Sequence, residues 1–366
     1  MAEIRVEHLH KSFSGFTAVR DSTFTIPDGD FFCLLGPSGC GKTTTLRMIA
    51  GLELPTSGHI MLGGEDVTYK RASQRDIAFV FQLFALYPHM NVRTNIAYPL
   101  RSQHMAGSEV ARRVEEAART LRIEHLLDRP VSGLSSGDRQ RVALGRAIVR
   151  EPLAFLLDEP LGALDAEFRD VMCGELRALH DRLHATTVYV THDQLEAMAM
   201  ADTIALMNQG TVEQLGAPQD IYDRPASLFV ADFIGSPPMS FLPFHGRVAP
   251  GDRSVRVDGV DIALPEMREG SNDTDLMLGV RPEHIALSSD APLRAEVVDA
   301  EYLGTTQIVT LATRAGARVK ARIAADIEVH PGEHTGLTLR PGFLSLFDRA
   351  TGRALRSALH DSHAHG

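Results

Sequence analysis

Residues 36–44 read Gly-Pro-Ser-Gly-Cys-Gly-Lys-Thr-Thr, and few folds can carry such a run. Before it, Phe31-Phe32-Cys33-Leu34-Leu35 is a short apolar stretch that predicts a buried parallel strand. After it, Thr44 to Leu52 is helix-compatible and carries the apolar Leu46, Ile49 and Ala50. A strand, a glycine-rich turn and a helix start aim several backbone N–H groups at one point, where an anion can sit. Gly36, Gly39 and Gly41 let the backbone curl without Cβ clashes, with Pro37, Ser38 and Cys40 between them. Lys42 then reaches the β- and γ-phosphates of a nucleotide, the Thr43 hydroxyl can ligate Mg²⁺, and Thr44 completes the loop. The pattern implies a bound nucleoside triphosphate.

At 366 residues the chain is long enough for two buried cores. From residue 1 to about 235, short apolar runs alternate with helix-like stretches, the pattern of an α/β sheet protein, with a mostly helical part at about 90–150. One helix is expected from Ser108 to Leu121, with Val110, Val114 and Ala117 on its apolar side. Ile204–Met207 and Thr211-Val212 flank Asn208-Gln209-Gly210 and read as a β-hairpin closing this region. Gly235-Ser236-Pro237-Pro238 then breaks the pattern. Beyond it, Asp258-Gly259 between two β-prone triplets signals a hairpin, and glycines and prolines recur, so 236–350 is expected to be a small all-β domain. Residues 351–366 read as a tail, loose from Ser357 onward, whose His360, His363 and His365 suggest solvation before metal binding.

The net charge of −10 argues against a general nucleic-acid binder. No apolar run is long enough to span a bilayer, and the first residues lack a signal-peptide core. Three cysteines, one of them in the phosphate loop, make no disulfide framework. The expectation is a cytoplasmic protein whose membrane role, if any, comes through a partner.

Ala154-Phe155-Leu156-Leu157 is an apolar strand ending in Asp158-Glu159, and Thr187-Val188-Tyr189-Val190 leads to His192. Open α/β sheets collect ligands at the carboxyl ends of their strands, which puts these residues beside the phosphate loop. Asp158 suits a Mg²⁺ bridge to a triphosphate, and Glu159 suits a base for the attacking water. Leu134-Ser135-Ser136-Gly137-Asp138 precedes a helix, with Ser135 or Ser136 a sound N-cap in any protein.

Here the chain resembles the ATP-binding-cassette family, whose signature motif is Leu-Ser-Gly-Gly-Gln at a helix start. The resemblance implies that Ser135, Ser136, Gly137 and Asp138 complete an ATP site on an opposite subunit, in a two-fold head-to-tail dimer. It further implies that Gln82 senses Mg²⁺ and the transporter partner, that Asp165 communicates across the dimer, and that His192 contacts the γ-phosphate. Phe13, with Phe16 as understudy, matches the aromatic that stacks on adenine. The family pattern makes Glu159 and His192 the catalytic pair and ATP with Mg²⁺ the cofactors.

Two segments, Phe84–Met90 and Phe229–Pro237, together with Gly279–His284, resemble the carbohydrate-importer ATPases of bacteria, such as the maltose and glycerol-3-phosphate importer subunits. That implies a P-loop ATPase cassette followed by an oligonucleotide- or oligosaccharide-binding-type β-barrel with a regulatory and dimerising role. It also implies a second cassette (self or a paralogue), two integral-membrane permeases, an external solute-binding protein and a peripheral place on the cytoplasmic membrane face. The stretch from Leu83 to Met90 is expected to help form a groove for a permease helix. A regulatory binding role, or import of a polyamine or ion, is the alternative reading.

Ser136 and Asp138 stand where the family has Gly and Gln, and Gly162 replaces its usual Ser. A carboxylate about 6 Å from a phosphate would repel it by roughly 1–3 kcal/mol at an effective dielectric near 20, unless Asp138 caps its own helix instead. The departure suggests pairing with a different ATPase whose signature compensates.

Overall fold

The computed structural model describes residues 2–81, 85–162, 166–272 and 274–361. It divides into two compact units, Met1–Pro218 and Gln219–Gly366. In the first, the chain runs through β1 (Ile4–Phe13), β2 (Phe16–Ile26), β3 (Phe31–Leu35), α1 (Lys42–Ala50), β4 (Ser57–Leu62), β5 (Glu65–Asp66) and β6 (Ile77–Val80). Three helices follow, α2 (Val92–Ser102), α3 (Gly107–Thr120) and α4 (Ser136–Ile148). The chain then returns through β7 (Ala154–Asp158), α5 (Ala166–Leu183), β8 (Thr186–Thr191), α6 (Gln194–Met200), β9 (Thr203–Asn208) and β10 (Thr211–Gly216).

Six of these strands form one sheet in the order β10-β9-β3-β8-β7-β6. All are parallel except β10, which closes the expected hairpin against β9. Every residue of β3, β7 and β8 is buried, as strands covered on both faces must be, and so they read as unbroken apolar runs. An antiparallel sheet, β2-β1-β4-β5, shares its core with the main sheet and α1. Phe24 of that sheet stacks on Phe32 of β3 at 5.4 Å between ring centroids. The far end of α1 is held by Arg75, which is buried and donates to the Met48 and Ile49 carbonyls at 2.7 and 2.6 Å. Four of the last carbonyls of any helix lack partners within it, and this guanidinium satisfies two of them. Burial lowers its pKa to about 10, so it remains charged at neutral pH.

The second unit carries α7 (Pro218–Asp223, beginning at the boundary) and α8 (Leu228–Phe233), followed by strands joined by turns and short 3₁₀ segments. These are β11 (Ser240–His245), β12 (Ser254–Val257), β13 (Val260–Ala263), β14 (Asp275–Val280), β15 (Ile285–Ser288) and β16 (Leu293–Tyr302). They continue with β17 (Thr306–Thr313), β18 (Arg318–Ala324), β19 (His334–Leu339), β20 (Ser345–Asp348) and β21 (Ala354–Leu355). Sheets β11-β14-β20-β21 and β15-β19-β16-β17-β18 enclose one apolar core. The alternation is plain in β18, where Val319, Ala321 and Ile323 point inward while Arg318, Lys320 and Arg322 face water. Asp258 and Gly259, with φ of 51° and 79°, make the expected turn between β12 and β13.

The division lies earlier than the Gly235–Pro238 break, and one residue explains why. Arg281 is buried at the end of β14, donates to the Ala231 carbonyl at 3.1 Å and the Tyr222 carbonyl at 2.8 Å, and also bonds Ile234. Its guanidinium lies 4.2 Å from the Tyr222 ring centroid, so α7 and α8 are tied to the β-sheets. The tail also needs correction. Ser357 to Asp361 is not loose: Ser357 is buried and pairs with Met267, and Asp361 bonds Arg268 at 2.7 Å. His363 and His365 lie outside the described residues, and no cluster able to hold a metal occurs among those described.

Candidate functional site

The site is assembled by strand register. Leu35 of β3 lies opposite Thr191 of β8, and Asp158 of β7 lies opposite Val190 of the same strand. The next residues out are Gly36, Glu159 and His192, so three loops leave the sheet at one edge. Val80 of β6 pairs with Leu157, and Gln82, two residues on, lies outside the described residues, as does Asp165.

The phosphate loop needs its glycines at two places above all. Gly36 has a φ of +151°, and a Cβ there would lie 2.2 Å from the Met207 carbonyl oxygen. Gly41 has a φ of +105°, and its Cβ would lie 2.4 Å from the Ala18 carbonyl oxygen. Both contacts are sterically forbidden, so the turn and the start of α1 can be built only with glycine. Gly41 is the N-cap of α1 and offers no side-chain cap, and the first turn carries no acid. The N–H groups at that end are therefore turned to whatever occupies the loop. Lys42 is almost fully buried and its Nζ donates to the Gly36 and Pro37 carbonyls at 2.8 and 2.9 Å, so the ammonium lies inside the curl. Pro37 accepts from the Cys40 N–H at 3.4 Å, and the Cys40 carbonyl accepts from the Gly210 N–H at 3.0 Å, tying the loop to the β9–β10 turn. Ser38 and Gly39 form its outer rim, and Thr44 begins the body of α1.

Thr43 and Asp158 meet across the site, the hydroxyl donating to the carboxylate at 3.0 Å. Burial pushes the Asp158 carboxyl above its ordinary value, partly offset by that hydrogen bond and by Arg47 and Lys42. A hydroxyl and a carboxylate side by side are two hard oxygen donors, a set that fits Mg²⁺. Glu159 follows with a φ of +44°, uncommon for a side chain of this size, and its N–H donates to the Val190 carbonyl at 3.0 Å. That backbone bend turns its carboxylate toward His192, whose Nδ1 lies 3.3 Å from the nearer oxygen. Phe13 and Phe16 face each other across the β1–β2 turn and are exposed, with the Lys11 ammonium 4.7 Å from the Phe13 centroid.

The helix start at Ser135 is built differently. Ser135 is the N-cap of α4, accepting from the Asp138 N–H at 3.2 Å and donating to the Asp138 carboxylate at 2.7 Å. The other Asp138 oxygen lies 3.5 Å from Arg141, which also grips Glu175 of α5 through two bonds of 3.1 and 3.0 Å. Ser135 therefore caps α4, and the Asp138 carboxylate is engaged by the Ser135 hydroxyl and by Arg141. Ser136 accepts from Arg139 at 3.2 Å, and Gly137 is buried behind them. Further along α4, Arg146 donates to the Ala85 carbonyl at 2.7 Å and lies 5.4 Å from the Tyr87 centroid. Asn95 of α2 accepts from the Tyr87 N–H at 2.9 Å and donates to its carbonyl at 3.2 Å. The segment after Phe84 is thus held between α2 and α4, with Leu83 and Phe84 outside the described residues.

Residues 19–162 match the family described as ABC transporter, 235–285 the MalK OB fold domain and 278–347 the TOBE domain. The sn-glycerol-3-phosphate import ATP-binding protein UgpC of Cereibacter sphaeroides is 44% identical over 357 residues, 97% of this chain and 100% of that protein. The chain belongs to the ABC transporter family. The trehalose import ATP-binding protein SugC of Mycobacterium tuberculosis is 53% identical over 293 residues, 78% of this chain and 73% of that protein. Among solved structures, cbiO1 of Clostridium perfringens, part of the ABC transporter complex cbiONQ, has a TM-score of 0.56 at 28% identity over 60% of this chain and 89% of its own. The dimeric ABC cassette MJ0796 has a TM-score of 0.53 at 29% identity over 59% of this chain and 98% of its own.

As an ABC cassette the chain binds ATP and hydrolyses it. The structure adds residues that the motif reading passed over. Asp193, next to His192, caps α6 by accepting from the Leu195 and Glu196 N–H groups at 2.8 and 3.4 Å. Glu196 is buried and takes hydrogen bonds from Tyr189 and Thr191 at 2.8 and 2.6 Å. Burial raises the Glu196 carboxyl, against those two bonds. An acid directly before a helix and a Glu three residues later is a capping signal that the sequence did carry.

Proposed function

We propose that this chain is the ATP-hydrolysing subunit of an importer for a carbohydrate-type solute, a sugar, polyol or glycerol phosphate. The observation that supports the chemistry is the register of β3, β8 and β7, together with the 3.0 Å bond from Thr43 to Asp158 and the 3.3 Å approach of His192 to Glu159. The solute class rests on relatives 43–53% identical whose names specify trehalose, maltose or glycerol-3-phosphate import.

Lys42 leaves the loop carbonyls to bind the β- and γ-phosphates, while the bare start of α1 takes the rest of their charge. Thr43 and Asp158, with Gln82, would hold Mg²⁺, which would supply positive charge to the triphosphate. Glu159 accepts a proton from the attacking water, and His192, set against it, contacts the γ-phosphate. Phe13 stacks on adenine, with Phe16 beside it. Ser135, Ser136, Gly137 and Asp138 face the nucleotide of a second cassette, identical or a paralogue, with Asp165 carrying signals between the two. Two permeases receive the motion through the groove at 83–90, fed by an external solute-binding protein, with this chain peripheral at the cytoplasmic face. The β unit serves dimerisation and regulation.

Mass spectrometry of what co-purifies with the chain from its own membranes tests the reading. Two permeases are expected, and uptake of labelled trehalose or glycerol-3-phosphate should fail in cells carrying Glu159→Gln. Recovery of soluble partners alone overturns it.

A further inference from the structure

His192 is exposed over 55% of its side chain, yet both of its chain neighbours are pinned. On one side Thr191 accepts the Asp193 N–H at 2.9 Å and donates to buried Glu196 at 2.6 Å. On the other, the Asp193 carboxylate caps α6 with one oxygen and takes Arg169 Nη1 at 2.8 Å with the other. Arg169 belongs to α5, a different element, and its Nε also lies 3.6 Å from Glu196 Oε1. One guanidinium therefore stands between the two carboxylates that fix the His192 loop. α5 begins just beyond the loop that carries Glu159, so Arg169 connects the two sides of the reacting centre through the backbone.

We propose that Arg169 is a positioning residue for His192, acting through Asp193 and Glu196 to keep the imidazole in register with Glu159. The inference rests on the assignment of His192 to the γ-phosphate. The physical reason is charge. Without the guanidinium, Asp193 and Glu196 repel each other inside a partly buried site, and Asp193 is drawn off its cap. The loop then relaxes, and a misplacement of about 1 Å can cost on the order of 10²-fold in rate. The Arg169 contacts to Asp193 and Glu196 do not involve the phosphate loop, so ATP binding itself should be spared. Lysine can answer one carboxylate but lacks the planar fork that serves both.

The test uses the full-length protein as purified from its membranes. In Arg169→Ala, kcat for ATP should fall about 10-fold with KM within about twofold, and Arg169→Lys should recover part of the loss. In a His192→Ala background, Arg169→Ala should cost nothing further, because the residue it positions is gone. Hydrogen exchange gives a readout apart from activity: amides of residues 190–194 should exchange at least 10-fold faster in Arg169→Ala, with α1 unchanged. Additive losses in the double variant, or unaltered exchange at 190–194, overturn the inference while leaving His192 in its role. Full turnover in His192→Ala alone overturns the assignment of His192 and the inference with it.

Discussion

Two helix starts in the first unit, α1 and α4, have opposite designs. α1 opens on Gly41 with no side-chain cap and no acid in its first turn. α4 opens on Ser135, which caps it by accepting the Asp138 N–H and gives its hydroxyl to the Asp138 carboxylate at 2.7 Å. Both ends present N–H groups and a positive dipole, and both are proposed to meet phosphate. At α1 the charge must come from a ligand. At α4 the chain has already supplied an anion, and a phosphate bound there as proposed would compete with it for the same hydroxyl. A helix N-terminus is therefore only as receptive as its first turn leaves it.

The comparison breaks most visibly at Gly41. Gly41→Ala should weaken ATP binding by at least ~100-fold, since strain of about 1–3 kcal/mol at that φ is joined by a clash with the Ala18 carbonyl. Titration calorimetry with ATP checks it, and unaltered affinity would remove the α1 start as the phosphate seat. Glu159→Gln should slow hydrolysis at least ~10²-fold and trap ATP-bound pairs, in which both helix starts face phosphate. Turnover at the native rate would take Glu159 out of catalysis. In that trapped background Asp138→Gln should tighten ATP-dependent pairing about 3–10-fold, read by sedimentation, because a repulsion of roughly 1–3 kcal/mol is relieved in part. The same change should lower thermal stability by about 0.5 kcal/mol, the worth of an acid in a first turn. Pairing insensitive to residue 138 would mean that its carboxylate swings clear without cost.

The smallest effect concerns Asp158, whose carboxyl is raised by burial. The folded chain then holds a proton that the unfolded chain releases. Stability therefore falls as pH climbs from the ordinary carboxylate value to the raised one, and is flat above. Asp158→Asn lacks that slope, so denaturation of the two chains across acid pH should show native stability dropping relative to the variant and then levelling. A difference that grows in the opposite direction would show that the Thr43 hydrogen bond outweighs burial.

The central sheet was legible because β3, β7 and β8 are buried on both faces and read as apolar runs. The antiparallel sheet was not, because register shifts at Val6/Leu9, Leu9/Lys11 and Lys11/Ser12 break the alternation of β1. Motif residues came with their loops, since local spacing encodes them. The bond between Arg169 and Asp193 joins residues 24 apart in sequence, and nothing in their local pattern announces it. Asp138 lay between: the Ser135 cap was readable in outline, while the hold of Arg141 on both Asp138 and Glu175 of α5 was not, because Glu175 lies 34 residues beyond Arg141. The tail read as loose because the partners of Ser357 and Ala358, Met267 and Glu266, are remote in the chain.

Arg281 sets a rule for anyone moving the β unit onto another cassette. A graft cut at Gly235 would leave behind the carbonyls of Tyr222, Ala231 and Ile234, and a buried cation would be stranded with none of these acceptors. The transplantable module begins at Gln219, two short helices ahead of the first strand of the β-sheets, and any recombination that kept the fold would have to carry them along.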